Sequence, residues 1–218
     1  NITNVGPAVV HDLAIQQSVD ALISYTLTPT LQFGDTIKYI LQTDNGFWQR
    51  NDTIIKIFGA YNILTVEDAT DPSLWTGNWN TTSTTYVSAS KSFTYTPTGN
   101  YSNNANTTCT YTPTIDLTNK GAAKITFWCK WDIEAGYDFT QFQVSTDNGQ
   151  TWIAQCGNYT VLGTSGNGSV QPANKPLWDD VQTDWVLEEI NLSDYLGQVI
   201  KVRFQLRADG GTRKDGFY

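Results

Sequence analysis

The sequence predicts an all-β protein. Its best-patterned segments alternate apolar and polar residues with period two, and turn-forming dipeptides punctuate them. No stretch carries the 3.6-residue apolar period of a long helix.

Taken in order, strands are expected at 21–28, 35–42 and 52–58, with turns at Gly34-Asp35 and Asn45-Gly46. A boundary is expected near Phe58-Gly59-Ala60, before the acidic, turn-rich run Glu67-Asp68-Ala69-Thr70-Asp71-Pro72. That divides the chain into a small β-sandwich portion, 1–58, and a larger sandwich, 59–218. A strand is expected at 84–89. Over 124–133, Ile125, Phe127, Cys129, Trp131 and Ile133 fall on one face, and Lys124, Thr126, Trp128, Lys130 and Asp132 on the other. Such a strand buries one face and shows water the other. Strands at 139–145 and 151–156 flank Asp147-Asn148-Gly149, where Asn-Gly signals a tight hairpin because both residues tolerate positive φ. Residues 157–176, rich in Gly, Ser, Asn and Pro, read as a long surface loop, functional or mobile. The best helix candidate is 190–196, one or two turns at most. In 199–207, Ile200, Val202, Phe204 and Leu206 face one way, and Lys201, Arg203, Gln205 and Arg207 the other.

Composition removes several function classes. The formal net charge is -8 over 218 residues, so the basic footprint of a nucleic-acid binder is missing. No apolar run approaches the roughly 18 residues of a membrane span. The chain begins at Asn1 without methionine and reads as a mature region or part of a longer protein. Richness in Thr and Asn with few charges points to an exported, extracellular protein. Cys109, Cys129 and Cys156 lie far apart with no C-x-x-C pair, so a structural zinc site is disfavoured and small buried thiols are expected.

The single histidine, His11, decides much of the chemistry. Zinc peptidase sites need two or three His, and neither H-E-x-x-H nor H-x-x-E occurs. A serine triad or a Cys–His pair would need the same residue. His11 is therefore read as an exposed strand residue, and no catalytic residue is assigned. Paired carboxylates need no histidine, but Glu134, Asp138, Glu188 and Glu189 show no spacing that fixes a cleft. They read as surface groups.

Three binding features remain. Calcium takes oxygen ligands, and acidic groups could converge at Glu67/Asp68/Asp71, Glu134/Asp138 and Asp209/Asp215. Glu67, Asp68, Glu134, Asp138 and Asp215 are the candidate ligands of a structural calcium. Exposed tryptophans stack on sugar rings, which nominates Trp128 and Trp178 for a glycan or cell-surface polymer. Ser145, Asp147, Gly149 and Trp152 fit the Asp-box pattern S-x-D-x-G-x-T-W. There the carboxylate accepts turn amides and the tryptophan packs beneath the hairpin, a structural rather than catalytic device.

An ordered series of segments carries a resemblance. It comprises Trp131-Asp132-Ile133-Glu134-Ala135-Gly136-Tyr137-Asp138-Phe139, the Asp-box, Trp185 leading into Ile190–Gln198, then Val202–Leu206 and Asp215-Gly216-Phe217-Tyr218. Residues from about 60 to 218 thereby resemble the MAM-like jelly-roll domain of immune inhibitor A-type secreted peptidases. In that family an Asp-rich strand usually follows the final Gly-Phe-Tyr. The segments Leu27-Thr28-Pro29 and Gly34–Tyr39 are similar to the Ig-like β-region behind the catalytic domain of Bacteroidetes-type zinc carboxypeptidases. The resemblance implies a jelly-roll-like antiparallel β-sandwich, non-catalytic and accessory to a secreted metallopeptidase. Zinc would belong only to a catalytic domain upstream in the same chain. The other reading is a carbohydrate-binding or adhesion module.

Overall fold

A computed structural model describes residues 2–5, 23–32, 34–44, 47–59 and 62–218. His11 and the expected Asn45-Gly46 turn lie outside the described residues. The chain forms two compact units, Asn1–Asn62 and Ile63–Tyr218. In the first, β1 (Ile2–Val5) pairs antiparallel with β2 (Tyr25–Leu27), and β3 (Thr36–Asp44) forms a hairpin with β4 (Gln49–Ile57).

The second unit opens with β5 (Trp75–Gly77), β6 (Asn80–Thr82), β7 (Ser92–Thr94), β8 (Asn106–Tyr111) and β9 (Ile115–Asp116). Then follow β10 (Lys124–Asp132), β11 (Phe139–Ser145), β12 (Ile153–Ala154), β13 (Val161–Leu162) and β14 (Pro176–Leu177). Last come β15 (Val181–Asn191), β16 (Val199–Arg207) and β17 (Gly216–Phe217). One sheet has the order β12-β11-β16-β8-β5, with β9 also on β16; a second has the order β15-β10-β17. The described residues contain no α-helix, only short 3-10 turns at Pro72–Leu74 and Ser193–Tyr195. The fold is an antiparallel β-sandwich, as the alternation predicts.

The two patterned strands face each other across the core. Phe127, Cys129 and Trp131 of β10 pack with Phe142 and Val144 of β11 and with Ile200, Val202 and Phe204 of β16. Phe127 and Phe204 meet edge to face, with centroids 5.1 Å apart, and Trp131 stacks on Phe217 at 5.9 Å. Such contacts add to what burial alone contributes. β5 ends at Gly77, whose φ is +129° and where a Cβ would stand 2.0 Å from the Thr108 carbonyl oxygen, so only glycine lets the two backbones close.

Three expectations need correction. Residues 84–89 form no strand. Their neighbours Thr82 and Ser92 bond locally, Thr82 Oγ1 accepting from Thr84 N (3.2 Å) and Ser92 Oγ donating to Thr85 O (2.7 Å), which competes with a ladder. The helix proposed at 190–196 is the end of β15 followed by one 3-10 turn. Of the cysteines, Cys109 and Cys129 are buried, but Cys156 is exposed. Burial pushes the Cys109 thiol up to about 12, so it stays protonated and unreactive.

Candidate functional site: a buried carboxylate cluster

Glu134 and Asp138 lie in the turn between β10 and β11, and Asp209 follows the end of β16. β11 and β16 pair from Phe139↔Arg207 to Ser145↔Lys201, which brings the two segments to the same end of the sheet. The three side chains each offer an oxygen within 4.8 Å of the others. Asp138 is fully buried; its Oδ2 accepts from the Tyr101 hydroxyl at 2.6 Å and its Oδ1 from Asp209 N at 2.7 Å. Tyr101 OH also accepts from Glu134 N at 3.1 Å, so one phenol braces the turn and the carboxylate. Asp209 Oδ1 accepts from Gly211 N at 2.6 Å.

The electrostatics of this cluster are one-sided. Burial pushes the Asp138 carboxyl above its ordinary value, and the neighbouring Asp209 and Glu134 charges push the same way against its two hydrogen bonds. Glu134 Oε2 is buried and has no hydrogen-bond partner among the described residues. An orphaned carboxylate oxygen beside two more carboxylates is the environment a hard cation would relieve. The residues present therefore fit calcium.

The structure does not bring the other nominated carboxylates together. Glu67 accepts from Ala69 N (2.9 Å) and from the Trp75 indole (3.0 Å), whereas Asp68 accepts from Thr70 N (3.0 Å) and Thr70 Oγ1 (2.6 Å). Asp71 caps the 3-10 turn through Ser73 N at 2.9 Å. These are local turn caps. Asp215 accepts from the Tyr218 hydroxyl at 2.9 Å and stands outside the cluster, where Asp209 takes its place. Sequence reasoning placed Asp209 with Asp215 rather than with Glu134 and Asp138. The available signal was Asp209-Gly210-Gly211 directly after a patterned strand.

Trp178 cannot be a sugar platform. It is 0% exposed, and its indole donates to Glu188 Oε2 at 3.1 Å. Glu188, read as a surface group, is itself 0% exposed. Its Oε1 accepts from Asn158 N (2.5 Å) and Glu189 N (2.8 Å), and its Oε2 also accepts from Tyr159 N (3.1 Å). The carboxylate thus fastens the 157–176 loop to β15. Gly157 makes room for it, since a Cβ there would fall 2.6 Å from the carboxyl group. Trp128 does face solvent, at 48% exposure, opposite Leu187 of β15.

Residues 67–218 match the family model described as "Immune inhibitor A-like, MAM domain". The chain belongs to this family. The chain is 32% identical over 102 residues to Immune inhibitor A of Bacillus thuringiensis subsp. alesti, covering 47% of this chain and 13% of that protein. It is also 30% identical over 143 residues to Bacillopeptidase F of Bacillus subtilis (strain 168), covering 64% of this chain and 8% of that protein. The chain thus spans a small fraction of either relative. Among the described residues, no helix is long and apolar enough to cross a membrane.

The Asp-box of the MAM domain closes the β11–β12 hairpin. Asp147 Oδ1 accepts from Ser145 Oγ (2.8 Å), Gln150 N (3.0 Å) and Thr151 N (2.9 Å), and Oδ2 from Thr151 Oγ1 (2.5 Å). Ser145 Oγ in turn accepts from Gly149 N at 2.8 Å, and the Trp152 indole donates to Gly149 O at 3.0 Å. Asn148 and Gly149 both have positive φ, 61° and 94°. The Thr151 and Ser145 hydrogen bonds hold the Asp147 carboxyl well below the usual carboxylate range. A depressed folded-state value means this stability is present above pH about 4 and is lost as pH falls toward the folded value. Asp147→Asn should therefore lower the thermal midpoint at pH 7, with the gap to wild type narrowing between pH about 4 and 2. A gap independent of pH would remove the charge from the explanation.

Proposed function

We infer that this chain is a non-catalytic accessory part of a larger secreted peptidase, positioning the catalytic domain or its substrate. The observation that carries this reading is the family match over 67–218 in a chain whose only histidine is His11. The short share of each relative covered supports a role within a longer protein. The finer reading is a zinc carboxypeptidase of the Bacteroidetes type. Its zinc ligands and catalytic Glu would sit in the catalytic domain, and residues 1–58 would form an Ig-like spacer. The purified 218-residue protein should release no amino acid from peptides and cleave no casein, with or without added zinc. Hydrolysis that copurifies with it would overturn the reading.

The MAM domain would hold a structural calcium through Glu134, Asp138 and Asp209, the orphaned Glu134 oxygen being the observation in favour. Calcium at 100 times its dissociation constant adds about 2.7 kcal/mol of stability. For a chain of this size that raises the midpoint by roughly 5–11 °C over the chelated protein. Equal midpoints in calcium and chelator would rule the ion out.

A further inference from the structure

The outward face of β16 carries Lys201, Arg203, Gln205 and Arg207, opposite the core face of Ile200, Val202 and Leu206. Three of these four outward positions are cations, in a chain of net charge -8. The ion pairs among the described residues are Arg50–Asp52, Lys124–Glu189 and Lys214–Asp132, and none involves this strand. Burial alone pulls the Arg203 guanidinium below its ordinary value, with no carboxylate offsetting it.

Beside these cations the sheet sets amides and hydroxyls in register, but only the hydroxyl side is open: Gln141 and Gln143 of β11 are buried, whereas Thr76 is exposed and Thr108 and Thr110 are half-buried. Gln143, Arg203, Thr110 and Thr76 align across β11, β16, β8 and β5, a row of about 14 Å at ordinary strand spacing. Gln141, Gln205 and Thr108 form the adjacent row. The amides are spent on one another and on their neighbours and hold the arginine in place, Gln205 Nε2 donating to Asn106 Oδ1 at 2.9 Å. Gln141 Nε2 donates to Pro176 O (2.9 Å), and Gln143 Nε2 donates to the Oε1 atoms of Gln141 (2.8 Å) and Gln205 (3.0 Å). Gln143 Oε1 accepts from Arg203 Nε at 2.7 Å, and the Arg203 guanidinium lies 4.3 Å from the centre of the Trp152 ring. This grip fixes the planar fork through one nitrogen and leaves the two terminal nitrogens without a hydrogen-bond partner among the described residues.

We propose that this face of the six-stranded sheet, from β16 across β8 to β5, binds an acidic polysaccharide, its carboxylates on Lys201, Arg203 and Arg207 and its hydroxyls on Thr76, Thr108 and Thr110. Two features favour a glycan over an acidic peptide. β16 is paired on both sides, by β11 and by β8 and β9, so it offers no free edge for an added peptide strand. The side chains beside the cations are neutral threonine hydroxyls that both donate and accept, which suits a chain with several hydroxyls to each carboxylate, whereas a poly-carboxylate peptide sets a charge at every side chain. The site is independent of any attached peptidase, since it uses only residues of this chain.

The test is affinity electrophoresis of the 218-residue protein in gels containing polygalacturonate, neutral dextran or poly-glutamate. Polygalacturonate should retard the protein, less so as salt rises from about 50 to 300 mM, and dextran should not. The double variant Lys201→Gln/Arg207→Gln, at surface positions, should weaken retention roughly tenfold with an unchanged thermal midpoint. Absent retention on polygalacturonate would overturn the proposal. So would equal retention on dextran, or retention unchanged in the double variant but lost in Trp128→Ala. Stronger retention on poly-glutamate would reassign the face to an acidic peptide.

Discussion

Glu188→Ala should destabilise the protein by about 3–4 kcal/mol, the upper range for a single substitution. The side chain is fully buried and serves four donors: the amides of Asn158, Tyr159 and Glu189 and the Trp178 indole. Truncation leaves these groups short of an acceptor, and each buried unsatisfied donor costs about 1–3 kcal/mol where water cannot reach it. Glu188→Gln separates shape from chemistry. Each carboxylate oxygen accepts two of the four bonds, so either orientation of the amide puts an NH2 group against two N–H donors. Gln should therefore recover less than half of the loss despite its matching volume. Urea unfolding measures both, and amide exchange at Asn158 and Tyr159 should rise in step. A loss under about 1 kcal/mol for Ala would show that water or a neighbour replaces the carboxylate.

Glu188 also shows where the sequence stops being legible. The strands around it were readable because their information is local: alternation over 124–133 places Phe127, Cys129 and Trp131 on the buried face without knowledge of any partner. Asn148-Gly149 was readable for the same reason, a backbone preference settled within two residues. Glu188 is a charged residue on the core side of β15, and the groups that justify it come from a loop some thirty positions away. Trp178 reads as an aromatic in a polar region until that carboxylate is placed beneath its indole. The cluster Glu134, Asp138 and Asp209 has the same character. Its first two members are neighbours in one turn, but the third arrives through the pairing of β11 with β16.

In that cluster, Asp138→Ala and Glu134→Gln should have opposite signatures. Asp138 has two roles: it accepts from the Tyr101 hydroxyl and from Asp209 N, and it would ligate the ion. Its removal strands a buried phenol and a backbone amide, so the loss should be about 2–4 kcal/mol even in chelator. Calcium should then restore little, since one of three carboxylates is gone. Glu134 Oε2 makes no hydrogen bond among the described residues. Neutralising it removes like-charge pressure on Asp138, so Glu134→Gln should match or slightly exceed wild type in chelator while losing most of the calcium-induced rise. Thermal midpoints of the wild type and both variants, each in calcium and in chelator, form a complete set. If Glu134→Gln keeps the full calcium response, the ion sits elsewhere or Glu134 does not bind it. If it loses stability in chelator as heavily as Asp138→Ala, the Glu134 carboxylate has a structural partner, and its buried oxygen is not the vacancy a cation would fill.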